Sequence, residues 1–220
     1  MAKFEPVKTL KDAVDFYFKN PAISVPFLIL FFVWIFGMWL FSTLFGKFIF
    51  SLTQFSLLSA LTFPFKSTQF LVLLFFWFFI YVIIESIAIA ATILKTQKPN
   101  LSLLEALKQG FYKMPILILV SIIYGLIVAA GLILFIVPGI YLGIRLLLCY
   151  PAVVLGKGLG LNESWKLTKG YFWELFVLAF ILFVFGLVAL LPLIGRLISL
   201  LFIKPIGTVA WALAYLRLKK

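Results

Sequence analysis

Long apolar runs limit what this chain can fold into more than any other feature of the sequence. Residues 21–46 contain no Asp, Glu, Lys or Arg, and five further runs carry at most two charged residues each. About 20 such residues cross the hydrocarbon core of a bilayer as a helix, which pairs every backbone N–H and C=O internally. The runs predict six membrane-spanning helices, at about 23–45, 70–94, 116–137, 140–155, 171–191 and 197–218.

The composition supports the same conclusion. Hydrophobic residues make up 65% of the 220 residues and charged residues only 12%, whereas soluble domains have roughly 45–50% and 25%. A water-soluble fold of this length has too little interior to hide so much Phe, Leu and Ile. The sequence therefore predicts an all-α, polytopic integral membrane protein formed by a single membrane domain over residues 1–220.

The distribution of Lys and Arg predicts the orientation in the membrane. With six spans, fourteen of these residues fall on the side that holds both termini and four on the other, while Arg145 lies within a span. Positive residues concentrate in cytoplasmic loops, so both termini are expected in the cytoplasm. This bias also accounts for the net charge of +12 without nucleic acid as a partner.

Three cytoplasmic segments are predicted to form helices on the membrane surface. In residues 7–20 apolar positions recur at helical spacing. The segment 102–112 opens with a Ser and a Glu spaced as a capping box, and in 161–170 Asn162 takes the cap position. Ordinary solvated loops are the alternative. The basic residues expected to face anionic headgroups are Lys108, Lys113, Lys166 and Lys169.

The three surface helices each precede a pair of spans, which suggests a three-unit pseudo-repeat. The joint YFKNP at 17–21 matches FYKMP at 111–115, while YFWE at 171–174 keeps only the aromatic pair. The units are approximately 1–98, 99–158 and 159–220. The outer link 46–69 is too polar for a good span and too apolar for a solvated loop, so it is expected to be re-entrant or interfacial.

Two ionisable residues fall at mid-membrane depth, where an unpaired charge is costly. Counted from the cytoplasmic ends of their spans, Glu85 and Arg145 lie at about the same level, roughly 14–15 Å inward. They are predicted to pair or to share a polar pocket, either as a simple interhelical salt bridge or as a headgroup site in which Arg145 holds a phosphate or carboxylate. Lys204 is expected to snorkel to the outer surface, the alternative being that it joins this site.

The sequence lacks the residues of conventional hydrolytic catalysis. It contains no His, one cysteine and no cluster of carboxylates. Zinc sites and Ser or Cys triads cannot be assembled from these residues. We therefore expect no enzymatic activity, no metal and no cofactor.

Three segments resemble a known family: LKDAVDFYFKNPAISVPFLI at 10–29, VPGIYLGIRLLLCYPAVVLGKGLGLNESWKLTKGYFW at 137–173 and AWALAYLRLKK at 210–220. Together they resemble the six-span membrane domain of the glycerophosphoryl diester phosphodiesterase membrane-domain superfamily, which includes bacterial and archaeal families. In some relatives this domain is fused to a soluble phosphodiesterase, whose metal-binding acids and histidines are absent here. The resemblance implies a membrane domain with a lipid-related role in a prokaryotic plasma membrane.

Two functions remain open from the sequence. The favoured one is a non-enzymatic module that binds or organises membrane lipids, or that holds a membrane-protein partner or a second copy of the chain. The alternative is a small transporter or channel with a polar site around Glu85 and Arg145. The scarcity of polar residues within the spans favours the first, because a hydrophilic conduit needs them.

Overall fold

The computed structural model describes residues 4–53, 57–156, 158–191 and 193–219, which are largely helical and include no strand. Three tight helical turns join some of the elements: 3-10 turns at Pro21–Ser24 and Leu187–Leu190, and a π-helical turn at Ser199–Ile203. The α-helices are α1 Pro6–Lys19, α2 Val25–Thr53, α3 Leu57–Gln97, α4 Leu103–Leu134, α5 Ile136–Leu146, α6 Cys149–Leu155, α7 Leu161–Leu167, α8 Phe172–Gly186, α9 Ile194–Ile198 and α10 Lys204–Leu218.

Six stretches of the described helices are long and apolar enough to cross a membrane. They are Pro21–Thr43, Leu71–Gln97, Leu103–Leu134, Ile136–Leu155, Phe172–Leu190 and Ile194–Leu218. Each overlaps one predicted apolar run, which confirms the all-helical, six-span prediction. Large side chains on the outside of these helices, such as Phe75 on α3 at 64% exposure, have no protein cover. Such a surface suits lipid and not water, as in an integral membrane protein.

The three predicted surface segments are helical, but only α1 and α7 form separate helices. Residues 102–112 begin α4 instead, which continues through Pro115 into the third span. The predicted capping box is confirmed, because the Ser102 hydroxyl accepts from the Glu105 N–H and the Glu105 carboxylate accepts from the Ser102 N–H. That these segments lie in the headgroup layer stays a prediction, as does the three-unit repeat.

The predicted cap of α7 is wrong. The helix begins after Gly160, which has a left-handed backbone with φ of +68°, and Asn162 lies in its first turn. A Cβ at position 160 would also come within 2.9 Å of the Cys149 carbonyl oxygen on α6. Glycine alone meets both demands, so the close packing of α7 on α6 decides the cap.

The outer link 46–69 is helical wherever the structure describes it, and its re-entrant or interfacial position stays a prediction. Helix α2 extends to Thr53 and α3 starts at Leu57, so the two helices continue through this region with residues 54–56 outside the described part. Ser and Thr hydroxyls within a helix can bond to carbonyls one turn earlier. A moderately polar helical sequence therefore needs no change of backbone structure.

Helix α3 is the central element of the bundle. It packs against α2, α4, α6 and α10. Its last turns carry small residues at the contacts, where Ala88, Ala90 and Ala91 are fully or almost fully buried. Gly110 of α4 lies so close that an added Cβ would be 3.0 Å from the Ile87 carbonyl oxygen. Small residues allow helices to approach closely when no hydrophobic effect drives them together.

Helix α1 and the C-terminal end of α10 lie on one face of the bundle, here called the terminal face. The Arg217 guanidinium near the end of α10 forms an ion pair with Asp12 of α1 and donates to the Thr9 hydroxyl at 2.6 Å. Lys219 bonds to Glu163 of α7 at 2.8 Å. These contacts gather α1, α7 and α10. That this face is cytoplasmic stays a prediction of the charge count.

A tyrosine from α1 satisfies a backbone group that a proline leaves without its normal partner. Pro205 has no N–H to donate to the Leu201 carbonyl four residues earlier, and the preceding turn is π-helical. The Tyr17 hydroxyl, from a side chain that is almost fully buried, donates to the Leu201 oxygen at 3.0 Å. This bond fixes the end of α1 to the π-helical turn that precedes α10.

We expect Tyr17→Phe to destabilise the protein by about 1 kcal/mol, because it removes a buried hydrogen bond and changes little else. The matched control is Tyr112→Phe, since Tyr112 is 73% exposed on α4. Thermal unfolding of both variants in detergent measures the difference. Equal midpoints for Tyr17→Phe and the control would contradict this role of the hydroxyl.

Candidate functional site

An ion pair joins α3 to α10 well inside their membrane spans. The Lys204 ammonium contacts the Glu85 carboxylate, and the Glu85 side chain is 25% exposed. Glu85 lies 12 residues before the end of α3 and Lys204 lies 14 before the end of α10, or about 18 and 21 Å inward. The helices run in the same direction, because Gln97 and Arg217 near their C-terminal ends line one surface pocket.

This pair corrects two predictions. Glu85 pairs with Lys204 and not with Arg145, and Lys204 turns inward instead of snorkelling to the outer surface. The physical reason is the helix arrangement, since α10 packs directly on α3 and brings the two charges to one level. A carboxylate within reach relieves the cost of both buried charges, whereas snorkelling relieves only one.

A cleft opens between the helices beside this pair, and it is called the central cleft here. Its volume is about 490 Å³ and its lining is mainly apolar. Glu85 supplies the one charged group among its described lining residues. The cleft is lined by Val82, Glu85, Ser86, Ile89 and Ile93 of α3, Ser121 and Tyr124 of α4, Leu147, Tyr150 and Pro151 around the start of α6, and Thr208 and Trp211 of α10.

Most hydroxyl groups of the central cleft are already bonded to backbone. The Ser121 hydroxyl donates to the Leu117 carbonyl at 2.8 Å, and the Tyr124 hydroxyl donates to the Gly143 carbonyl at 3.2 Å. Thr208 donates to the Lys204 carbonyl at 2.8 Å. These bonds use the hydroxyl protons, so the lining offers acceptors more than donors. The cleft therefore suits an apolar ligand that carries a hydrogen-bond donor.

A second polar group, which the sequence analysis missed, continues from the ion pair away from the terminal face. Arg196 donates to the Tyr81 hydroxyl at 3.2 Å and lies 5.6 Å from the centre of the Trp34 ring. The Lys204 ammonium lies 6.0 Å from the centre of the Tyr81 ring, so Tyr81 lies between the two cations. The predicted spans 171–191 and 197–218 leave Arg196 in an outer loop. The one feature of the sequence that indicates partial burial of Arg196 is its position in a short apolar segment after residue 192.

Arg145 lies at the C-terminal end of α5, away from Glu85. Its guanidinium is 4.3 Å from the centre of the Trp165 ring and 5.8 Å from that of Tyr141. Its backbone carbonyl accepts from the Ser164 hydroxyl at 2.9 Å and the Thr168 hydroxyl at 3.1 Å. Tyr141 lies on α5 itself, while the other contacts come from α7 and its C-cap, and α7 packs against α5 and α6. The helix predicted only as a surface element therefore encloses this arginine.

The basic residues predicted to face headgroups differ in exposure. Lys108, Lys166 and Lys169 are exposed, while Lys113 is half-buried. Their contact with headgroups stays a prediction. Lys95 is buried and plays a structural role: its ammonium donates to the Leu101 carbonyl at 2.8 Å and closes the turn between α3 and α4.

A carboxylate of α7 is held at the terminal face by two donors. Tyr215 donates to Glu163 at 2.8 Å, and Lys219 forms an ion pair with it. Partial burial alone would raise the pKa of the Glu163 carboxyl, but the hydrogen bonds from Lys219 and Tyr215 outweigh it and lower the pKa below its ordinary value. The same contacts raise the pKa of Lys219. At neutral pH the Glu163 carboxylate is thus charged, and Lys219 balances its charge.

The described part of the chain is thus all-helical, with six helices long and apolar enough to span a membrane. Two polar groups lie within these spans: the Glu85–Lys204 pair and Arg196 with Tyr81. Comparison with family models finds no match to this sequence. Comparisons with curated proteins and with solved structures find no match either. The fold class rests on the helices themselves, and the superfamily resemblance stays a prediction.

We expect the Glu85–Lys204 pair to show strong coupling in a double-mutant cycle. Glu85→Gln or Lys204→Met alone leaves an unpaired charge and should destabilise the protein by roughly 3 kcal/mol, while the double variant should lose less than the sum of the two. Thermal unfolding in detergent measures all four proteins, with Lys98→Met in the exposed turn as a control. Additive losses would show that the two side chains do not depend on each other.

Proposed function

We propose that this protein is a non-enzymatic integral membrane protein that binds a membrane lipid in the central cleft. One observation carries the proposal: a mainly apolar cleft of about 490 Å³ lies between four spans, beside a paired charge. Ligand sites of about 300–1,000 Å³ with a few placed polar groups are typical of small-molecule binding. Membrane lipid is the apolar ligand that surrounds such a cleft at high concentration.

The chemistry of the lining favours one part of a lipid over another. Ile89 and Ile93 of α3 and Trp211 of α10 provide apolar surface for an acyl chain. Glu85 provides an acceptor for a hydroxyl or amine group of the same molecule. Because Lys204 already balances the Glu85 charge, the ligand need not carry a net positive charge to enter.

The absence of catalytic residue types supports the non-enzymatic part of the proposal. The sequence has no His, and Cys149, its single cysteine, is buried. A buried thiol without a basic partner is not an activated nucleophile. The resemblance to the phosphodiesterase-associated membrane domain supports a lipid-related role without the phosphodiesterase activity. A membrane-protein partner or a second copy of the chain remains part of this proposal.

We place the terminal face in the cytoplasm of a prokaryotic cell. The support is the excess of fourteen Lys and Arg residues over four on the opposite side, together with the resemblance to bacterial and archaeal families. Labelling of a Lys8→Cys, Cys149→Ser chain by an impermeant thiol reagent in sealed vesicles tests the orientation.

A small transporter is the second candidate function, and one observation favours it. Lys204, Tyr81 and Arg196 follow one another from the central cleft away from the terminal face. Polar side chains within spans line solute pathways in many transporters. Solute flux into proteoliposomes that depends on Arg196 and Lys204 would favour this candidate over lipid binding.

We expect Ser121→Phe to abolish lipid retention, because the larger side chain fills the central cleft. Native mass spectrometry of the detergent-purified protein, with bound lipids identified, measures it. The matched control is Ile122→Phe, one position along α4, where the side chain is 55% exposed to the outside. Both variants should keep the wild-type unfolding midpoint.

The outcome that contradicts the proposal is equally clear. A wild-type protein without bound lipid, or one whose lipid persists in Ser121→Phe at the level of the control, would show that the central cleft is not the binding site.

A further inference from the structure

Arg145 is the one arginine that is buried among the described residues, and no described carboxylate pairs with it. Arg145 is only 6% exposed, and its Nε is buried without a hydrogen-bond partner. The ion pairs among the described residues are Lys204 with Glu85, Arg217 with Asp12 and Lys219 with Glu163, so no described carboxylate lies within 4.0 Å of the Arg145 guanidinium. All hydrogen bonds of Arg145 to other elements run through its backbone carbonyl.

The chemistry of arginine makes this arrangement expensive. A guanidinium stays protonated at any physiological pH and presents five N–H donors. Neutralisation by a pKa shift, which relieves buried Lys or Glu, is not available to it. An isolated buried cation needs an anion, and its donors need acceptors. The described chain supplies no carboxylate for this cation and no acceptor for its Nε, which leaves both roles open to a molecule from outside.

The surroundings of Arg145 hold the guanidinium in place for such a partner. The Trp165 ring, 4.3 Å away, and the Tyr141 ring, 5.8 Å away, attract the cation through their faces. Ser164 and Thr168 fix the backbone carbonyl from which the side chain extends. A side chain that is held by aromatic rings keeps its in-plane donors free, which is the geometry of bidentate phosphate binding.

The charge around this position favours an anion. Lys166 on α7 and Lys169 just after its C-cap are exposed, and the one acid of α7, Glu163, forms an ion pair with Lys219. Basic residues beside an interfacial aromatic pair suit the headgroup level of a membrane.

We propose that Arg145 binds a phosphate group, supplied by the headgroup of an anionic phospholipid. The phosphate oxygens accept from the guanidinium in its plane while Trp165 covers its face. Arg145 is not among the residues that line the central cleft. The inference therefore does not rest on lipid binding in the cleft, and the two proposals can fail separately.

The test compares phosphate sources and variants by binding. The protein in a maltoside detergent, which contains no phosphate, is supplied with phosphatidic acid, phosphatidylglycerol or, as the arm without phosphate, diacylglycerol. Inorganic phosphate is titrated separately to distinguish a free anion from a headgroup. Retained lipid is counted by native mass spectrometry for the wild type, Arg145→Gln and Arg145→Lys, with Lys98→Gln as the control that removes one exposed positive charge.

We expect the wild type to retain the anionic phospholipids over diacylglycerol. Arg145→Gln should weaken this retention by about tenfold or more, as expected when a charge-assisted pair of hydrogen bonds is lost. Arg145→Lys should recover part of it, because an ammonium is a point charge without the planar fork. Lys98→Gln should retain phospholipid like the wild type. Saturable binding of inorganic phosphate that is lost in Arg145→Gln would also support the site, with the free anion as its source.

Equal retention of phospholipid in the wild type and in Arg145→Gln, together with no binding of inorganic phosphate, would overturn the proposal. If Arg145→Gln does not fold, the wild type alone decides. Its unfolding midpoint must be higher with phosphatidic acid or inorganic phosphate than with diacylglycerol, because a ligand that binds only the native state stabilises it. An unchanged midpoint in that comparison overturns the proposal as well.

Discussion

The cost of a charge in a medium without water is the constraint on which the rest of this structure depends. Glu85 and Lys204 meet that cost by pairing across α3 and α10 at one depth. Their contact fixes the position of α10 along the axis of α3. The central cleft lies beside the pair and is lined partly by α10, so its shape depends on this position of α10. Arg145 meets the same constraint without an internal partner, which is why it points to a ligand.

The same constraint applies to the backbone. A carbonyl without a donor is also costly in the hydrocarbon, although less so than a charge, and side chains of this protein supply missing donors. Tyr17 donates to Leu201 where Pro205 lacks an N–H, and Lys95 donates to the Leu101 carbonyl in the turn after α3. Each bond also joins two elements. Side-chain hydrogen bonds to unpaired backbone carbonyls thus help to specify the tertiary structure.

Local sequence patterns predicted the helices, whereas tertiary packing determined which helices and side chains contact each other. The six spans follow from apolar length, and the Ser102–Glu105 capping box follows from spacing. The depth argument placed Glu85 within the membrane, but it could not choose its partner, because depth does not reveal which helices are neighbours. The cap of α7 at Gly160 could not be predicted for a similar reason, because a single sequence does not show how closely α7 approaches α6. Arg196 was missed because a lone arginine at a span end resembles a loop residue.

The most direct test of the central claim is an electron cryo-microscopy map of the protein in nanodiscs made from a prokaryotic lipid extract. The account predicts elongated density for an acyl chain inside the central cleft, ending beside Glu85, with Lys204 in contact with the carboxylate. A cleft closed by the helices, or one that holds only isolated features of the size of water, would contradict it.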